Sequence, residues 1–296
     1  MRYGVREICD VVFKAKAKVK IGGITFEPGQ PVLYIDSAKT STVEGAATTV
    51  YAQGGRGNTR LSAWEGEKTL TFTVEDALLS PMGFAILSGA GLLKGSEQEK
   101  VHVHATTMGQ AADGTVSLTD ALEVGEEVDP DAKIYVIPVG ADSGLNGAPI
   151  AGAIGEDKKS ITATGLADGP CFVDYYVQKV SAKVHEIQID AENFAGYYYV
   201  EASTLFRRQD NGKDMPAELT FPNVKIQSNF TFTMASTGDP STFTFTMDAM
   251  PGYTYFNPSR KVLCAIQIIE DELASDDIAS VFTVDKEDDF KDDDAL

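Results

Sequence analysis

Two nearly identical hexapeptides, NFTFTM at 229–234 and TFTFTM at 242–247, constrain this chain more than any other feature. Side chains of a β-strand alternate between its two faces. Phe230, Phe232 and Met234 then share one face, and Thr231 and Thr233 the other. In the second copy Phe243, Phe245 and Met247 share one face, opposite Thr242, Thr244 and Thr246. The intervening ASTGDPS is rich in turn formers. The pattern predicts a β-hairpin with one apolar face and one uncharged polar face. Ordinary half-buried strands alternate in the same way, and threonine is a good strand former in any context.

The motif recurs far away. Thr69, Thr71 and Thr73 alternate with Leu70, Phe72 and Val74 in the stretch 60–74. That stretch and 39–52 read as two long strands joined by QGGRGNT at 53–59, with Gly54, Gly55, Arg56, Gly57 and Asn58 at the tip and Arg60 just beyond. Two strands alone bury too little apolar area to be stable in water, so this hairpin is expected to be completed by neighbouring chains. Residues 74–91 form the best helix candidate, with Asp76 or Ser80 as N-cap, Pro81 at the first helical position after Ser80 and Gly89 as terminator.

The texture changes near residue 94. Residues 96–180 carry 14 acidic and 5 basic side chains and break into short strand-like pieces. They read as an inserted acidic β-rich domain, leaving 1–95 and 181–282 as the core domain. Residues 283–296 form an acidic tail with 7 acidic and 2 basic residues. The whole chain of 296 residues has a net charge of −19. Such a balance argues against gripping nucleic acid, which needs clustered Lys and Arg. No run approaches the ~20 apolar residues of a membrane span, and the N-terminus has no secretory pattern. Three widely spaced cysteines, Cys9, Cys171 and Cys264, give neither a disulfide framework nor metal spacing.

Chemistry-bearing motifs are weak. GGRGNTR lacks the Gly-Lys-Ser/Thr of a phosphate loop. His102 and His104 fall on one strand face but have no third ligand nearby in sequence. Asp190 and Glu192 carry no mark of a catalytic pair. The expectation is a protein without catalysis, cofactor or bound metal.

Three stretches carry a resemblance: TVYAQGGRGNTRLSAWEGEKTLTFTVEDALL, IQIDAENFAGYYYVEASTLFRRQDNGKD and ELTFPNVKIQSNFTFTMASTGDPSTFTFTMDAM. Together they resemble the major tail tube proteins of tailed bacteriophages, over about 1–95 and 181–280 and not over the insertion. The resemblance implies a mainly β fold: a tail-tube-like β-sandwich or barrel with long hairpins and one short flanking helix, plus the β-rich insertion. It implies a virion structural protein, made in the host cytoplasm, whose hexameric rings stack into the conduit for DNA ejection. Its partners are then further copies of itself and other phage tail proteins, with double-stranded DNA passing the lumen without tight binding and no membrane involved. On that reading Thr231, Thr233, Thr242, Thr244 and Thr246 face the lumen. Phe230, Phe232, Met234, Phe243, Phe245 and Met247 are buried or lie between subunits, and Gly54, Gly55, Arg56, Gly57, Asn58 and Arg60 meet the next ring. The alternatives are another virion subunit of similar fold (tail terminator, baseplate or capsid decoration) and a soluble β-sandwich binding module.

Overall fold

The computed structural model describes residues 2–5, 7–96, 100–123, 126–140, 145, 147–179, 184–231, 234, 236–237 and 241–270. Packing divides the chain into two units: Met1–Ala90 with the chain from Ile189 onward, and Gly91–Gln188.

The first unit opens with β1 (Tyr3–Val5), β2 (Asp10–Ala15), β3 (Val19–Ile21), β4 (Ile24–Phe26) and β5 (Pro31–Ile35). The long strands β6 (Ala38–Gly54) and β7 (Thr59–Asp76) follow, and then α1 (Pro81–Ser88). In β2 the period-two rule holds residue by residue: Val11, Phe13 and Ala15 are buried, while Asp10, Val12 and Lys14 are half-buried. The helix is short and apolar, and its ends are set by local chemistry. Ser80 caps it by accepting the Gly83 N–H at 2.9 Å, Pro81 occupies the first turn, and Gly89 closes it in the left-handed region at φ 73°.

The second unit contains β8 (Gly91–Lys94), β9 (Val101–Ala112), β10 (Thr115–Ser117), β11 (Glu127–Val128), β12 (Ile134–Pro138), β13 (Ile150–Ile154), β14 (Ser160–Thr162), β15 (Gly169–Lys179) and β16 (His185–Gln188). Six of these strands close a barrel in the order β15-β12-β13-β14-β10-β9, with β9 pairing back onto β15. Closure removes the free edges that an open sheet of this size would expose. Val116, Leu118, Val136, Ile161, Cys171, Val173 and Tyr175 fill the barrel. Gly152 admits Ile161, whose methyl would stand 2.5 Å from a Cβ at that position. This unit extends beyond the 96–180 read from composition because β8 and β16 pair with each other. His102 and His104 are each engaged by an aspartate, Asp129 and Asp174, and among the described residues no group of three or more His, Cys, Asp or Glu could hold a metal.

The chain then completes the first unit with β17 (Tyr197–Arg208), β18 (Asp214–Ile226), β19 (Phe243–Ala249), β20 (Gly252–Thr254), β21 (Asn257–Val262) and β22 (Ala265–Ile268). One sheet runs β5-β2-β17-β18-β19-β7-β6, with β1 also on β17 and β22 also on β18. Its core is aromatic. Phe72 stacks on Phe221 at 4.7 Å between ring centres, and Phe13 meets Phe245 at 5.8 Å and Tyr198 at 6.1 Å. Burial pushes the Tyr198 hydroxyl up to about 12 and the Cys264 thiol to about 11. The three cysteines are free thiols. No helix among the described residues is long and apolar enough to cross a membrane.

The helix terminus gives a stability test. A Cβ at Gly89 would sit 2.3 Å from the Phe194 carbonyl carbon. The left-handed backbone costs an L side chain roughly 1–2 kcal/mol before that clash is counted. Gly89→Ala is expected to lower stability in urea by at least about 2 kcal/mol, whereas Gly91→Ala, with open space around its Cβ, should stay within about 0.5 kcal/mol. Equal, small effects would contradict the assigned terminus.

Candidate functional site

The candidate site is the surface made by β6, β7 and β19. Register sets its rows. Thr42 pairs with Thr73, which pairs with Thr246; Thr40, Glu75 and Thr244 form the next row, and Glu44, Thr71 and Asp248 the row on the other side. By alternation these nine side chains share one face. The opposite face carries Val43, Phe72 and Met247 in one row and Ser41, Val74 and Phe245 in another. Phe72, Val74, Phe245 and Met247 are buried. The sheet therefore rests on its Phe/Met side and presents its threonine side outward.

Hydroxyl–carboxylate bonds knit the threonine face. Thr40 and Thr242 donate to Glu75 at 3.1 and 2.5 Å, and Thr71 donates to Asp248 at 3.4 Å. The hydroxyls of Thr242 and then Thr40 hold the Glu75 carboxyl below the usual glutamate range, because both bonds favour the charged form.

The second threonine copy becomes a strand, and the first departs from the expected hairpin. Phe243, Phe245 and Met247 are buried, Thr244 is exposed, and Thr242 and Thr246 are half-exposed. Their strand partners are β7 on one edge and the end of β18, Val224–Ile226, on the other, not 229–234. Asn229, Phe230, Thr231 and Met234 lie outside strands, and Met234 is 86% exposed. Phe232 and Thr233 lie outside the described residues, as does the acidic tail 283–296. The cause is local. Gln227 still donates to the Thr246 carbonyl, but Ser228 then turns to accept from Ala195, and Phe230 leaves the sheet to meet the Phe84 ring of α1 at 4.8 Å. The threonine face is also not uncharged, as the hexapeptides alone suggested: β7 and β6 bring Glu75 and Glu44 into its rows, and Asp248 follows on β19.

Beyond Leu70 the β6–β7 hairpin loses its support. From Gly45 to Tyr51 and from Thr59 to Thr69 every residue is exposed. Val50 stands opposite Trp64, and the two are 63% and 57% exposed. At roughly 3.3 Å per residue the ten residues Gly45–Gly54 make an arm of about 33 Å. Among the described residues both edges of the arm are bare: β6 pairs only with β7, and β19 covers β7 only from Thr71 to Asp76. A β-bulge bends it midway, where Thr48 faces both Gly66 and Glu67. The Thr48 hydroxyl accepts the Glu67 N–H at 2.9 Å, and a Cβ at Gly66 would lie 2.5 Å from that oxygen. At the tip, Gly55, Gly57 and Asn58 take positive φ, and Asn58 donates to the Gly55 carbonyl. Gly54 ends β6, Arg56 is exposed in the turn, and Arg60 lies 4.1 Å over the Tyr51 ring of its own chain.

A profile of the YomU/Tube protein family matches residues 24–254. The chain belongs to the YomU/Tube protein family. The matched span takes in the arm, the closed barrel and β17 through β19. No curated protein matches the chain. For a Tube-family chain the informative features are thus an edge-exposed arm and a carboxylate-bearing threonine face. Sequence reasoning missed Glu44, Glu75 and Asp248 on that face, although Glu75 continues the parity of Thr69, Thr71 and Thr73.

Titration of Glu75 tests the face. Its depressed pKa means that the stabilising contribution is present above the unfolded-state pKa and is lost as pH falls through the lower folded value. Side-chain NMR should place Glu75 below an ordinary glutamate, and the double variant Thr40→Val, Thr242→Val should raise it. An unchanged value in that variant would rule out the hydroxyls as the cause.

Proposed function

We propose that this chain is a structural subunit of a phage tail tube, whose copies close into rings that stack into a conduit for DNA. The observation that carries the proposal is the β6–β7 arm. It exposes Val50, Leu61 and Trp64 together with two bare strand edges, and such edges template pairing with another chain. A ring closes the pairing circuit, because each arm lends an edge to one neighbour and takes one from the next. Hexameric rings follow from the resemblance to major tail tube proteins.

In this reading the threonine face lines the lumen. Buried Phe72, Val74, Phe245 and Met247 fix which side of the sheet turns outward to the rest of the ring. Small hydroxyls offer no cation to bind phosphate, and Glu44, Glu75 and Asp248 add like charge that keeps DNA moving. The closed barrel sits on the outer side of the wall, where its acidic copies are spaced apart and screened within ~10 Å at ordinary salt.

Negative-stain images of the purified protein should show rings or filaments with extra density outside the wall. Trp64, the single tryptophan, should blue-shift its fluorescence on assembly as its exposed ring is covered. A protein that stays monomeric at high concentration, with Trp64 emission unchanged, would sink the proposal.

A further inference from the structure

A concentration of cations stands out in a chain of net charge −19. Lys14, Lys16, Lys18 and Lys20 recur at every second position from β2 into β3, and Arg260 and Lys261 lie on β21. Two of the six are neutralised: Lys14 by Glu201, and Lys18 by Glu27 at 2.6 Å. Lys16, Lys20, Arg260 and Lys261 are exposed and make no ion pair among the described residues.

Packing brings the two groups together. Lys16 Nζ donates to the Pro222 carbonyl at 3.1 Å. Gly252, the first residue of β20, lies against the same proline, with its Cβ position 3.1 Å from the Pro222 side chain. Tyr255, in the β20–β21 turn, stacks on Tyr199 at 4.1 Å and lies 5.8 Å from the Lys14 ammonium. Beside it Phe256 is 95% exposed. The result is a set of cations on Lys16 and the β20–β21 hairpin, which carries Arg260 and Lys261, beside an exposed aromatic rim.

The chain carries a complementary segment. Residues 271–296 hold 11 acidic and 2 basic side chains, with Phe282 and Phe290 among them. The segment follows Glu270, whose carboxylate accepts the Tyr3 hydroxyl at 2.6 Å. Tyr3 pairs with Arg208, at one end of β17, while Lys14 pairs with Tyr199 near the other. Those points are about 30 Å apart along the strand. Twenty-six residues reach at most roughly 90 Å when extended. Exit point and patch thus lie at opposite ends of one sheet, and a head-to-tail repeat brings the exit of one copy toward the patch of the next.

We propose that segment 271–296 of one copy docks on the Lys16, Lys20, Arg260 and Lys261 patch of a neighbouring copy, its carboxylates on the cations and its phenylalanines on the Tyr255–Phe256 rim. The proposal rests on the self-assembly reading above. Many weak exposed charge pairs add up only as a repeated network, so the docking is sensitive to salt.

Zero-length carbodiimide coupling tests it in the full chain. Unlabelled and 15N-labelled subunits are mixed before assembly, coupled and read by mass spectrometry. The expected products join Lys16, Lys20 or Lys261 to carboxylates of 285–294 as mixed-isotope pairs. Their yield should fall several-fold in 1 M NaCl and in the exposed-site variant Arg260→Glu, which removes no coupling group. Absent products, products only within one isotope, or a yield indifferent to both salt and Arg260→Glu would overturn the docking. Tubes without these products would leave the tube reading standing and remove the docking alone; these products in particles that never form tubes would do the reverse.

Discussion

A β-strand carries a row of backbone donors and acceptors on each edge, and those rows need partners. In this chain most rows find them internally. The second unit closes its strands into a barrel, and β18 divides one edge between β22 at 217–220 and β19 at 224–226. Among the described residues the longest strands with both edges open are those of the β6–β7 arm, open over most of its length. Its open edges run beside exposed Val50, Leu61 and Trp64, a combination that a lone soluble domain avoids. The rest of the first unit serves to hold that arm. Phe72 and Val74 anchor its base in the aromatic core, and β19 is clamped to it through Phe245 and Met247.

The same anchoring decides which face meets solvent. A slip of one residue between β7 and β19 would turn every threonine inward and every phenylalanine outward. Burying four large apolar side chains stabilises the observed register by several kcal/mol, at about 1.5–3 kcal/mol each, far more than any rival pairing of threonines offers. The hydroxyls then share an acidic surface with Glu44, Glu75 and Asp248, where Glu75 accepts from Thr40 and Thr242 and Asp248 from Thr71.

Much of this was legible from local chemistry. The ends of α1 follow from Ser80, Pro81 and Gly89, and the two long strands follow from alternation and the glycine-rich tip. The family match agrees with the tube-like, β-rich reading. The partner of the second threonine copy was not legible, because two similar strands separated by a turn-forming segment satisfy the rules of a local hairpin. The competing term was tertiary: the Phe84 ring draws Phe230 out of the sheet, so β19 keeps only the end of β18 on one edge and pairs along its length with β7 on the other, 167 residues before Thr242 at the Glu75 contact. The barrel's closure was equally hidden, since pairing of β9 with β15 joins Val101 to Lys179 across a long stretch of chain and leaves no local trace. The carboxylates of the threonine face belong to three strands, so only register could assemble them.

The central claim is that the arm's edges are completed by other copies of the chain. Amide hydrogen exchange across 43–69 measures it directly, because bare edges leave outward N–H groups open to water. The account predicts fast exchange of these amides in the dispersed subunit and strong protection in the assembled particle, while the amides of the closed barrel exchange alike in both. Equal protection of 43–69 in the two states would show that the arm is complete within its own chain, and would contradict the account.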